Sequence, residues 1–187
     1  EDILLFIRDH NPYLANWERD LLTIVHEEAQ YFIPQIETKI MNEGWASYWH
    51  HRIVSSLDLP ADLQMEFMVH HSQVVRPHPG SINPYYLGFK LWHDILRRCE
   101  NPTPEERERY GGPTDGMATL MRIREADRDA SFLRQFLTGR LMREMDMYEF
   151  GPEDDEYVVQ RVADEDNWRQ IRDTLIGSVG MAAFPVI

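Results

Sequence analysis

The sequence predicts a mainly α-helical fold: a bundle-like helical body over residues 1–148, followed by a small strand–helix–strand appendage over 149–187. Three observations carry this expectation. Apolar residues recur at three- and four-residue steps through most of the first 148 positions, the period of a helix with one buried face. Asn11-Pro12, Pro34, Asn83-Pro84 and Pro104 cut that pattern into helix-length pieces. A strand-like run, Tyr157-Val158-Val159, occurs only past Tyr148.

The first helix is expected from Asp2 to His10, ended by Asn11-Pro12. Asn16 is the expected cap of the next. Its Trp17, Leu21, Ile24, Val25, Ala29 and Phe32 form one stripe with Glu28 inside it, and Pro34 is expected to stop it. Thr38 then caps a helix running to about Leu57. Trp45 and Trp49 lie on one side of it, Ala46, Ile53 and Leu57 on another, with Met41 and Tyr48 between. A helix apolar nearly all round is a central one.

Asp58-Leu59-Pro60 opens another helix carrying Leu63, Phe67 and Met68. A proline-containing loop over 74–82 leads to Asn83-Pro84 and a helix through Leu87, Leu91 and Ile95. Thr103-Pro104-Glu105-Glu106 reads as a capping box. Two or three helices follow between Thr114 and Met145, with Met117, Leu120, Met121, Ile123, Phe132, Leu133, Phe136 and Leu137 as core. In the appendage, residues 151–155 are expected as a turn and Asp164 to Ile176 as an amphipathic helix. Phe184-Pro185-Val186-Ile187 is expected to begin a further strand.

Composition limits the function classes. A net charge of −13, from 19 basic and 32 acidic residues, argues against an extended phosphate-binding surface and so against nucleic acid. The single cysteine, Cys99, excludes an intramolecular disulfide and a Cys-rich zinc site, and fits a reducing compartment. No apolar run approaches the roughly 20 residues of a transmembrane helix. The start lacks an initiator Met and the end stops on apolar residues, so the chain reads as a piece of something longer.

The densest chemistry lies between Gln35 and His51. His26-Glu27-Glu28-Ala29-Gln30 has the outline of the H-E-x-x-H zinc motif with Gln in place of the second His. Downstream, Asn42-Glu43-Gly44-Trp45-Ala46 resembles the glutamate-bearing motif of gluzincin-type metallopeptidases, which makes His26 and Glu43 candidate ligands for zinc or another divalent metal, with His50 a further candidate alongside groups from other helices. Glu43 and His50 share one stripe, but seven residues rise about 11 Å, so the two alone cannot hold one ion. They are the candidate catalytic pair, with Asn42, Trp45, Trp49, Asn83 and Tyr85 as candidate substrate-binding groups. In the adjacent pairs His50-His51 and His70-His71, at most one ring of each can face a given site. His10, His78 and His93 are expected at caps or on the surface.

Taken together, Trp17-Glu18-Arg19-Asp20, Tyr31-Phe32-x-Pro34-Gln35, Thr38-Lys39-x-Met41-Asn42-Glu43-Gly44-Trp45-Ala46-x-x-Trp49-His50, Ile82-Asn83-Pro84-Tyr85-x-Leu87-Gly88, Ser131-Phe132 and Asp146-Met147-Tyr148 closely resemble the stage V sporulation protein R (SpoVR) family. The resemblance implies a cytoplasmic protein involved in making the peptidoglycan cortex of bacterial spores, with protein partners in cortex assembly and with further N- and C-terminal regions. It implies no established reaction. Glu43 and His50 belong to the family motif, whereas the family pattern allows Arg where His26 stands. A metal-dependent hydrolase is one expectation. A non-catalytic regulatory or scaffold protein, or a peptide- or glycan-binding module using Trp45, Trp49 and Tyr85, is the other.

Overall fold

The computed structural model describes residues 2–78, 80–153 and 156–180, with backbone alone at 110, 153, 156 and 157. Among the described residues are ten helices and one two-stranded sheet, the mainly α class that the periodicity predicts.

Helices α1 (Ile3–His10) and α2 (Asn16–Glu37) pack together as a hairpin. Asp2 caps α1 by accepting from the Leu4 and Leu5 amides. The N-cap of α2 is Ala15, not Asn16, and the Glu18 carboxylate accepts from the Ala15 amide at 2.7 Å. Pro34 does not stop this helix, which continues to Glu37. Proline removes one intrahelical bond but leaves those on either side, and the Thr38 hydroxyl takes up the Pro34 carbonyl at 2.6 Å.

That use of Thr38 matters for α3 (Lys39–Ser55), because Thr38 stands at its N-cap position without capping it through its side chain. The orphan donors of the first turn are met from far away. Both oxygens of Asp129 accept backbone N–H groups, from Ile40 and from Met41, each at 2.9 Å. Asp129 is 1% exposed. Burial pushes its carboxyl upward, and the backbone donors pull it back down.

Helix α3 packs chiefly on α5 (Pro84–Glu100). Gly44 faces Gly88, and a Cβ built on Gly44 would lie 2.3 Å from the Gly88 Cα. A Cβ on Gly88 would meet the Ile40 carbonyl oxygen at 2.2 Å. The two backbones therefore touch, which only glycine permits. Around the crossing lie Met41, Tyr48, Leu91 and Trp92, all fully buried. The Trp92 indole donates to the Met41 carbonyl at 3.2 Å and packs on Phe132, with ring centroids 4.7 Å apart.

Helix α4 (Ala61–Val74) lies against α3. Helix α6 (Pro104–Tyr110) opens with the expected Thr103–Glu106 capping box. Three helices follow, α7 (Gly116–Ala126), α8 (Asp129–Phe136) and α9 (Gly139–Glu144). Leu120 and Ile123 of α7 join the core, while Met121, expected there, is 43% exposed because adjacent helical residues diverge by about 100°. A buried ion network ties α5, α6 and α9. Asp94 accepts from Arg97 at 3.1 Å, Arg98 at 2.8 Å and Arg140. Arg97 also holds Glu106 at 2.7 Å, which keeps that carboxyl down at about 2.

Past residue 147 the chain forms an antiparallel hairpin of β1 (Tyr148–Glu153) and β2 (Glu156–Val162), with a bulge between Glu149 and Phe150. The strand expected at Tyr157 is β2. Gly151, Pro152 and Glu153, read as a turn, lie in β1, because pairing with β2 gives this stretch its ladder bonds locally. Helix α10 (Trp168–Gly177) buries Ile171, Leu175 and Ile176 in the same core cluster as α3 and α5. The further strand expected at Phe184–Ile187 lies outside the described residues.

Candidate functional site at the α3–α5 crossing

The Gly44–Gly88 contact decides what stands beside it. With the backbones touching, Glu43 of α3 comes beside Tyr85 in the first turn of α5. The neighbouring carboxylate, followed by burial, raises the Tyr85 phenol above its usual range. Glu43 is half-buried, and its neighbour is a neutral phenol rather than a cation. Tyr85 is placed by Asn83, which accepts from the Tyr85 amide at 2.9 Å and caps α5. The Asn83 amide also donates to the Val74 and Arg76 carbonyls at 2.8 and 2.9 Å. Its side chain is thereby committed to pinning the loop between α4 and α5.

Asn42 is exposed and donates to the Thr38 hydroxyl at 2.8 Å. Trp45 and Trp49 are part-buried and pack against the core. Trp45 meets Trp92 edge to face at 4.9 Å, and the Arg52 guanidinium lies over Trp49 at 5.6 Å. His50 is exposed, two turns from Glu43, with its ring against Phe67 of α4 at 5.2 Å. His26 sits on α2, with Nδ1 at 3.0 Å from the Asp2 carboxylate and Nε2 at 2.8 Å from the Gln30 amide. Both of its ring nitrogens are thus engaged. The structure brings Glu43 and Tyr85 together and gives His26, Glu43 and His50 separate surroundings. Among the described residues no group of three or more His, Cys, Asp or Glu side chains is placed to hold a metal ion. As placed, the three candidate ligands do not make a zinc centre with one another or with the other described residues.

What the sequence reading missed lies beside His50. His51, not His50, turns inward, toward His71 of α4 at 5.0 Å and His93 of α5 at 6.0 Å between ring centroids. Phe89 fills the space between, 5.1 Å from His71 and 4.5 Å from His93. His71 is 7% exposed. His93, expected on the surface, has a fully buried Nε2, and the Nε2 atoms of His71 and His93 both lack a hydrogen-bond partner. The available signal was the spacing Tyr85, Phe89, His93, which puts all three on one face of α5.

Burial pushes His93 down to about 4, and Lys90 and Arg52, with His51 and His71 whenever they are protonated, act in the same direction. His71 is lowered for the same first reason. Both rings are therefore neutral at pH 7. An unfolded histidine titrates near 6.5, so between about 6.5 and 4 the unfolded chain binds more protons than the folded one. The stability contribution is intact above that window and lost as pH falls through it. Discounted for partial exposure, His93 contributes on the order of 1–2 kcal/mol. Melting curves from pH 7.5 to 4.5 are expected to fall less steeply for His93→Phe than for the unaltered protein. Parallel curves would refute this assignment.

The SpoVR like protein family model matches residues 1–184 of this chain. The protein called "Uncharacterized protein YcgB" of Escherichia coli (strain K12) is 35% identical over 191 residues, covering 94% of this chain and 37% of that relative. The chain thus spans little more than a third of that relative's length. No solved structure matches. Among the described residues no helix is long and apolar enough to cross a membrane.

Proposed function

The chain belongs to the SpoVR-like protein family, and on that premise we propose that it is the helical part of a cytoplasmic protein acting in formation of the peptidoglycan cortex of spores. Glu43 is the carboxylate through which it acts. The single observation behind this choice is the placement of Glu43, half-exposed beside the Gly44–Gly88 contact and next to the Tyr85 phenol rather than paired with a cation. A carboxylate so placed is free to accept a proton from an incoming hydroxyl, amine or water. Tyr85 orients it, and Asn83 orients Tyr85. On the hydrolytic form of this reading, a divalent metal needs ligands beyond those that this chain brings together, with His50 as a further candidate group.

A second reading, a non-catalytic scaffold, draws support from the large apolar side chains exposed on α1, α2 and α4, among them Phe6, Trp17, Leu21 and Met65. One experiment separates the two. The full-length protein, with Glu43→Gln, His50→Ala and Tyr85→Phe variants, replaces the family member of a spore-forming host, and spore muropeptides and bound metal are measured at matched protein levels. Glu43→Gln is expected to lose cortex material at least tenfold, and Tyr85→Phe to lose less. Normal cortex in all variants, with no stoichiometric metal in the unaltered protein, would leave the scaffold.

A further inference from the structure

We propose that the exposed face of the α1–α2 hairpin seats an amphipathic helix whose apolar stripe is flanked by Lys or Arg, supplied by the part of the full-length polypeptide outside these residues. Among the described residues neither α1 nor α2 buries a side chain, although together they carry 30 residues of regular helix in spans of 8 and 22. The stripe Trp17, Leu21, Ile24, Val25 and Phe32 lies between 47% and 63% exposed. A contiguous apolar face of this kind on a folded protein is an interaction surface, and a helix with such a face is stabilised mainly by what covers it.

Charge selects the occupant. Between residues 2 and 37 there are seven acidic side chains and two basic ones; of the acids, Asp9 is paired with Arg8, Asp2 is bonded to His26 and Glu37 is paired with Arg128. Both arginines are already engaged, Arg8 with Asp9 and Thr23, and Arg19 with the carbonyls of Arg8 and Asn11. Glu28 lies within the apolar stripe, one turn from both Ile24 and Phe32. With Ile24, Glu27 and Tyr31 it lines an open cleft of about 330 Å³. Any apolar cover over this cleft would strand the two carboxylates in a dry environment unless it brought cations with it. A basic-flanked helix supplies apolar contact and charge together. A second copy of the same face would set carboxylates against carboxylates.

The source follows from length. The Escherichia coli relative has well over half of its chain outside the matched part. A segment tethered to the hairpin reaches it at a high effective concentration that a free partner lacks. This holds whether or not Glu43 is catalytic.

The test uses purified full-length protein carrying the photo-crosslinking residue p-benzoylphenylalanine at Ile24 or at Tyr31, prepared as an equal mixture of isotopically light and heavy chains. The expected result is a crosslink to a Lys/Arg-flanked apolar segment outside these 187 residues, found in light–light and heavy–heavy form alone. Glu28→Lys is expected to cut its yield at least fivefold, whereas Glu125→Lys, an exposed position on α7, leaves it unchanged. Mixed light–heavy crosslinks would assign the face to a second copy and overturn the proposal. So would crosslinks confined to these residues, no crosslink, or a yield indifferent to Glu28→Lys.

Discussion

Gly44→Ala is expected to lower the thermal midpoint by roughly 6–12 °C, corresponding to about 3 kcal/mol or more. In an exposed helix the same change would stabilise, since alanine is favoured over glycine by about 1 kcal/mol. Here the new methyl would sit 2.3 Å from the Gly88 Cα. Backbone cannot rotate out of the way as a side chain can, so α3 and α5 must separate, and Trp92 and Tyr48 lose their packing with them. Gly177→Ala, where nothing lies within 4 Å of the added carbon, is the matched control and is expected to be neutral or slightly stabilising. Circular dichroism melts of the three proteins decide the matter. A Gly44→Ala midpoint within about 2 °C of the parent would mean that the helices do not cross at this point.

Asp129→Ala comes next in size, at about 3 kcal/mol or roughly 6–12 °C. Removing the carboxylate leaves the Ile40 and Met41 amides buried without acceptors, and an unmet buried donor costs about 1–3 kcal/mol. Loss of a negative charge at the start of α3 adds to this. Asp129→Asn retains one acceptor and is expected to lose about half as much. Amide hydrogen exchange supplies the local readout, with Ile40 and Met41 exchanging faster in Asp129→Ala than amides in the middle of α3. Equal acceleration along the whole helix would show that Asp129 acts on global stability and not as a cap.

Much of the fold was legible because its signals are local. The Asn83 cap, the Thr103–Glu106 box and the inward stripe of α5 depend on residues within a turn or two of one another, and all are present. The stripe on α2 misled in one respect, since its periodicity gave the helix but could not say that the face would stand exposed in this chain. Thr38 looked like a cap because capping residues are recognised by type, whereas its hydroxyl went to Pro34 and the cap came from Asp129.

For the site, the motif residues Glu43 and Tyr85 were visible separately, but their pairing depends on two glycines meeting, which neither stretch reveals alone. The inward turn of His51 and the burial of His93 depend on how α4 and α5 approach α3. That approach is set by tertiary packing, beyond the reach of a helical wheel.

The Asp129 bonds to α3 also order events in time. They join residues 89 and 88 positions apart, so the helix that carries Glu43 cannot be anchored at its start until the ribosome has made α8. At synthesis rates of about 5–20 residues per second, that interval is roughly 4–18 s. The face of α3 destined for α5 is open until α5 has been made, and the start of α3 stays without its cap until Asp129 follows. A chaperone-engagement profile along the growing chain should therefore step down twice, first where α5 clears the exit tunnel and again where Asp129 does.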